Sequence, residues 1–391
     1  MVYLSLPNSL RNHVKEILSI ETNQLILFIL IAFFIRVFFL SYYGFTWLTY
    51  PSGYKLDGWT HDEYRHMMAI KAYLNFQIPT GELFPPNYIP FTALILTPFT
   101  VPFLLAGFPL VVAMQLGVAF LSSLGLIPLW FTTKVLKGNV FGLGFLFIFN
   151  PVELGTTFSW GGYSLLLSSF IMNWFIFLIT FRRYLPSLTL LFSSMIVHRT
   201  AILIALPTII IWLFMFYRVY LRKLDPTTQK KIFISVISLL FILVLFFSIL
   251  FPQRIMYLIG MISRSIPRLS RLDNINYEHI LVYANIIILV LLFKGWITIS
   301  DDKIQTGTFL PLYLALTYFL PLLEIFPDHN LNIRLFSYSV FPSMIISSFA
   351  FNHWKEKPLI EKILLILMGI VHILMVSARS FESFHYTRKE I

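Results

Sequence analysis

The stretch LILFILIAFFIRVFFL, Leu25 to Leu40, decides what kind of protein this is. Every position in it except Arg36 is apolar. Read as one helix running on to about residue 43, it covers roughly 28 Å, close to the ~30 Å hydrocarbon core of a bilayer. Comparable runs recur along the whole chain of 391 residues. Hydrophobic residues make up 58% of it and charged residues 12%, about half the charged share of a soluble domain. The runs are continuously apolar rather than alternating, which excludes a β-barrel. No small-residue cleavage site follows the first run, so the sequence predicts a retained helix and not a signal peptide. The expected fold is an all-α polytopic membrane protein, a single integral-membrane domain over 1–391.

The apolar pattern predicts about eleven transmembrane helices, near 25–43, 109–133, 139–152, 163–181, 185–197, 200–217, 232–251, 279–293, 305–322, 335–351 and 359–377. Of these, 139–152 and 185–197 are short for a full crossing. The run 88–106 carries Pro90, Pro98 and Pro102, and proline removes helix hydrogen bonds, so this segment is expected to dip or lie at the surface. Topology follows from lysine and arginine. With 1–24 cytoplasmic and 88–106 not crossing, Lys134/Lys137, Arg182/Arg183, Arg218 to Lys231, Lys294/Lys303 and Lys355/Lys357/Lys362 all fall inside. If 88–106 crosses, two of these clusters move outside, which fits the rule less well. The expected external parts are a first loop, 44–108, the loop 150–163 and a basic loop, 252–278; a C-terminal tail covers 378–391. There is no cysteine, so disulfides, thiolate nucleophiles and Cys-held zinc are ruled out. The net charge of +11 suits cytoplasmic loops against anionic lipid, and nucleic acid is not an expected partner.

The segments with chemical potential share the outer side in this topology. After the first span comes DGWTHDEYRHMMAIKAYLN, Asp57 to Asn75. From His61 to Leu74 it suits an amphipathic helix with Met67, Ile70 and Leu74 on one stripe, lying in the membrane interface. Asp62 and Glu63 sit in its first turn, and Asp62 meets His66 at i, i+4 spacing. The plain structural alternative is acids favoured at a helix start with local ion pairs. In NPVELGTTFSWGGY, 150–163, Glu153 is the only charge between Lys137 and Arg182; alone it is a hydrated acid, and beside Asp62 it would orient a hydroxyl or hold a metal. In VHRT, His198 and Arg199 interrupt an apolar pair of helices, where arginine faces a cavity, a phosphate or lipid head groups. Arg254, Arg264, Arg268 and Arg271 follow in 252–278, and PDHNLNIRLFSY presents Asp328, His329 and Arg334. Guanidinium forks match phosphate oxygens, of a substrate or of lipid.

The arrangement resembles the GT-C superfamily of integral-membrane glycosyltransferases, which includes protein O-mannosyltransferases and aminoarabinose transferases. The likeness rests on THDEYRHMMAIKAYL after a first span, a proline-containing apolar segment like YIPFTALILTP, two helices joined by the basic turn TTKVLKGN, the exit at Asn150-Pro151 into a second loop with Glu153, the break at VHRTAIL and the arginine in NIRLFSY. It covers roughly the first 200 residues and the neighbourhood of Arg334. The chain lacks the large soluble C-terminal domain and the WWD-type motif of oligosaccharyltransferases, so a single-sugar transferase fits better.

The resemblance implies transfer of a sugar, with inversion, from a polyprenyl-phosphate-linked donor to a glycan, lipid or protein acceptor hydroxyl at the outer face of the cell membrane. Asp62, with Glu63 and Glu153, would be catalytic. Arg199 and Arg334, then Arg264 and Arg268, would hold the donor phosphate, with His66 and His198 among the substrate-binding residues. No cofactor is required; if a divalent metal takes part, Asp62 and Glu153 are the oxygen ligands suited to magnesium or manganese. The competing readings are a multi-pass transporter or lipid flippase, which would place polar groups near the bilayer midplane and show an inverted repeat, and a non-catalytic lipid-binding membrane protein.

Overall fold

The computed structural model describes residues 21–42, 62–80, 90–150, 162–219, 221–252, 256, 259, 260, 290–292, 294, 295 and 329–389, and among these there is no strand. Among the described residues, twelve α-helices carry the fold. The first six are α1 (Glu21–Tyr42), α2 (Asp62–Leu74), α3 (Phe91–Leu105), α4 (Leu110–Leu124), α5 (Leu126–Val135) and α6 (Val140–Ile148). The rest are α7 (Tyr163–Thr180), α8 (Tyr184–Val197), α9 (Ala201–Val219), α10 (Pro226–Leu250), α11 (His329–Ser348) and α12 (Leu359–Lys389). One turn of 3₁₀ helix, Leu221–Lys223, joins α9 to α10, and another, Phe349–Phe351, closes α11.

Five helical stretches among the described residues are long and apolar enough to cross a bilayer: Thr22–Leu40, Leu110–Val135, Tyr163–Thr180, Ala201–Arg218 and Pro226–Leu250. The chain is thus an α-helical membrane protein. Two expected spans are too short to cross alone. The run 139–152 yields the nine-residue α6, about 14 Å long, and 185–197 yields the 14-residue α8, about 21 Å. Asn139 caps α6 at its start, its Oδ1 accepting from Gly142 N at 2.8 Å, and Pro151 stands just beyond its end, where helices stop. The proline-bearing run 88–106 forms the 15-residue α3, about 22 Å. The expected 335–351 falls in α11, which begins earlier, at His329, and α12 continues to Lys389 through most of the segment read as a tail. The expected spans 279–293 and 305–322, the loop 252–278 and residues 44–61 and 81–89 of the expected loop 44–108 lie wholly or mostly outside the described residues.

Prolines and glycines set the joints. The expected single span 109–133 is divided between α4 and α5 at Gly125. Pro128 is the cause: it lacks the N–H that would bond to Leu124 O, and its ring presses on that carbonyl. Gly107, at φ +88°, ends α3 in a Schellman turn, with Gly107 N donating to Leu104 O and Phe108 N to Phe103 O. The same turn closes α5 and α7 with Lys137 (φ 61°) and Arg182 (φ 59°) in the left-handed position. Between α3 and α4 the backbones come close at Gly117, where a Cβ would stand 2.9 Å from Phe99 O.

The interior has two apolar centres. The later turns of α1 (Phe39, Leu40) pack with α2 (Ala69, Ile70), α3 (Ala93, Leu96), α4 (Met114, Val118, Ala119) and the first turns of α7 (Tyr163, Leu166, Leu167). The earlier turns of α1 (Leu25, Phe28, Ala32) pack with α5 to α9 and α11. Lipid tails are as apolar as these side chains, so close packing and hydrogen bonds hold the helices together rather than escape from water. Outward, α10 shows Phe241, Phe246 and Ile249, and α12 shows Ile360, Ile363, Leu367 and Leu374, faces suited to hydrocarbon.

The basic turns gather at one end of the bundle. Asn139 Nδ2 donates to Phe351 O at 2.8 Å and Asn352 Nδ2 to Lys137 O at 3.0 Å, clamping the α5–α6 turn to the end of α11. Phe131 near the end of α5 meets Phe177 near the end of α7, which brings Arg182 and Arg183 to the same end. Trp212 Nε1 donates to Tyr184 O and Ser187 Oγ, both at 3.1 Å, tying the start of α8 to the last turns of α9. Glu361 accepts from Lys294 Nζ at 2.6 Å and Lys357 Nζ at 2.7 Å. The described basic turns therefore share one end of the bundle, while 1–20 and Lys303 lie outside the described residues. A Gly117→Ala variant should push α3 off α4 and destabilise the protein by about 1–3 kcal/mol, read as a lowered thermal midpoint in detergent; an unchanged midpoint would show that the α3–α4 contact has slack.

Candidate functional site

The opposite end of the bundle holds a buried polar network built around the break between α8 and α9. Helix α8 stops at Val197; His198 N still bonds to Ser194 O at 3.0 Å, but His198 is extended, at φ −136° and ψ 129°. The chain turns through Arg199 and Thr200 and restarts at Ala201, whose N donates to His198 O at 3.1 Å. A break buried in an apolar bundle needs partners for its polar groups, and side chains supply them. Thr200 N points at His198 Nδ1 from 3.4 Å, and Thr200 Oγ1 lies 2.6 Å from the same nitrogen. With a backbone N–H aimed at it, Nδ1 is the acceptor, Thr200 Oγ1–H donates to it, and the proton of the neutral ring is assigned to Nε2.

Tyr338, in the middle of α11, ties this break to α7. Its hydroxyl lies 2.9 Å from Ser168 Oγ and 3.4 Å from both Thr200 Oγ1 and His198 Nδ1. Ser168 Oγ in turn lies 3.1 Å from Ser194 O and 2.8 Å from Ser194 Oγ. One proton arrangement satisfies the set: Ser168 donates to Ser194 O, and Tyr338 donates to Ser168. His198, Thr200, Tyr338, Ser168 and Ser194 are all buried, so four elements meet in one hydrogen-bonded knot.

The first turn of α7 links the knot to α2. Tyr163, 1% exposed, packs against the His66 ring at 5.6 Å between centroids, and His66 is itself 6% exposed. The amphipathic reading of α2 is met, with a shifted stripe: His66, Ala69 and Ile70 are buried, while Met67 and Leu74 are partly so. Val197, the residue before His198, packs in the same apolar centre as Ile70 and Tyr163.

The expected site residues thus fall into three groups. His198 is a member of the knot, and His66 lies beside it across Tyr163. Arg199 adjoins the knot but is exposed, and position 334 is one helical turn before Tyr338 in α11. The backbones of Asp62 and Glu63 open α2; their side chains, the side chain of Arg334, and Glu153, Arg264 and Arg268 lie outside the described residues. No group of three or more metal-ligating His, Asp or Glu occurs among the described residues, and both expected oxygen ligands, Asp62 and Glu153, lie outside that set.

Two further buried polar residues, Arg36 and His372, were not among the expected site residues. Arg36, fully buried in α1, donates Nε to Ser122 Oγ at 2.5 Å and a guanidinium N–H to Ala32 O at 3.0 Å, and stands over the Phe147 ring at 5.0 Å. It was visible as a charge in a span, but its partners were not. His372, in α12, hydrogen-bonds through Nε2 to Phe149 O at 2.8 Å. That bond holds the end of α6, just where Asn150 leads into the loop bearing Glu153.

No protein-family model matches the chain, and no curated protein matches its sequence. The site therefore stands on its own geometry. Replacing Tyr338 by Phe removes the hydroxyl shared by Ser168 and Thr200 and should destabilise the fold by about 1–3 kcal/mol. Combined with Ser168→Ala, the loss should fall short of the sum of the single effects in thermal unfolding; strict additivity would break the proposed coupling.

Proposed function

We propose that the chain is a membrane glycosyltransferase that moves a single sugar from a polyprenyl-phosphate-linked donor to an acceptor hydroxyl at the outer face. The observation that carries this reading is the convergence of VHRT and NIRLFSY: His198 and Thr200 share the Tyr338 hydroxyl, although well over a hundred residues separate them. The contact of His66 with Tyr163 adds the helix that begins with Asp62 and Glu63. Three of the segments on which the GT-C resemblance rests thus meet at one end of the bundle, opposite the basic turns.

In this reading Asp62 takes the acceptor's hydroxyl proton while the acceptor oxygen bonds to the sugar's anomeric carbon. The bond from that carbon to the phosphate oxygen breaks with inversion, and the phosphate leaves with the electron pair. It is a weak base and needs no acid to protonate it. Arg199 and Arg334, with Arg264 and Arg268, balance its growing charge. Glu63 and Glu153 assist at the acceptor side, and His66 and His198 line the substrates.

Asp62→Asn should abolish transfer from a polyprenyl-phosphate sugar while the protein still inserts and unfolds at its usual temperature; full activity in that variant would remove the base. The native chain has no cysteine, so a Ser159→Cys variant gives one reactive thiol. It should react with a membrane-impermeant maleimide on intact cells, and reaction only after permeabilisation would place this loop inside.

A further inference from the structure

The turn between α9 and α10 stands at the basic end, away from the polar knot, and its chemistry is independent of the glycosyltransferase reading. It joins two helices that are each long and apolar enough to cross a bilayer, Ala201–Arg218 and Pro226–Leu250, so it lies at head-group depth. Between Arg218 and Lys231 it carries Arg218, Arg222, Lys223, Lys230 and Lys231 against one acid, Asp225. That acid is engaged as the cap of α10: its Oδ2 accepts from Thr228 N at 2.8 Å. This bond holds the Asp225 carboxyl below the usual carboxylate range. Arg222, Lys230 and Lys231 are exposed and form no ion pair among the described residues.

The turn is also fixed in shape. Leu221 is fully buried, and Gln229 Nε2 donates to Leu224 O at 2.8 Å across it. Lysines near the start of a helix gain nothing from its dipole, which favours acids there, so helix stability does not explain Lys230 and Lys231. On the same turn and the adjoining helix ends are exposed apolar groups: Tyr217, packed edge-on against Phe233, and Leu224 and Ile234. Cations held above an apolar collar match a molecule with a negative head and a hydrocarbon body.

We propose that this turn seats the phosphate head group of an anionic phospholipid in the adjoining leaflet. The test is native mass spectrometry of the full chain released from micelles containing equal phosphatidylglycerol and phosphatidylcholine. The wild type should retain phosphatidylglycerol in preference, and the preference should fall as salt is raised. In R222Q/K230Q/K231Q it should drop by about tenfold or more, since each basic residue near an anionic surface supplies about fivefold. A K134Q/K137Q variant at the neighbouring turn should keep most of it. An unselective wild type overturns the proposal even if the triple variant does not fold. So does a triple variant that keeps the wild-type preference, or one that loses no more than K134Q/K137Q. Millimolar inorganic phosphate that displaces the lipid completely would also overturn it, because the turn would then be reading a free anion and not a lipid.

Discussion

Within hydrocarbon no water is at hand to complete a broken helix, and this constraint shapes every irregular feature of the bundle. Continuous helices meet it unaided. Where the chain must bend, another group has to take over the exposed N–H or C=O. At the α8–α9 break the substitute is the His198 ring, which receives Thr200 N. At the start of α6 the Asn139 side chain serves. The polar knot is thus first a solution to a backbone problem. Its second property, a histidine held in one tautomer beside an exposed arginine, follows from that solution.

The same logic explains why α7 is central. It is a continuous 18-residue helix without a break of its own. Its first turn meets α2 through Tyr163, its second meets α8 and α11 through Ser168, and its last meets α5 through Phe177. A single straight element thereby fixes the separation between the basic end and the polar end. Arg36 plays a comparable part between α1, α4 and α6, since removing a fully buried cation from its partners is far costlier than keeping it.

Much of this was legible from residue order. Unbroken apolarity gave the membrane class, and the 13-residue α2 begins within one residue of the expected position because its apolar stripe has helical spacing. The break at VHRT was visible because a histidine and an arginine stand out in hydrocarbon. The role of Tyr338 was hidden: a hydroxyl in an apolar run perturbs composition little, and its partner Ser168 lies 170 positions away. The run 109–133 was legible as one crossing, Leu110–Val135; only the joint at Gly125 within it went unread, although Pro128 was in view. Helix length was overestimated at α6, nine residues against an expected 139–152, because apolar composition records burial as readily as crossing; at α8 the expected 185–197 matches Tyr184–Val197 within one residue.

The left-handed turns at Lys137 and Arg182 have one more implication. Glycine would adopt that geometry freely, whereas a side chain there works against it by roughly 1–2 kcal/mol. Glycine would also be silent to the machinery that orients nascent spans by their flanking cations. At both corners the chain keeps a strained link in order to keep a readable address. Exchanging either residue for glycine would therefore relieve the backbone and remove a flanking cation in the same step.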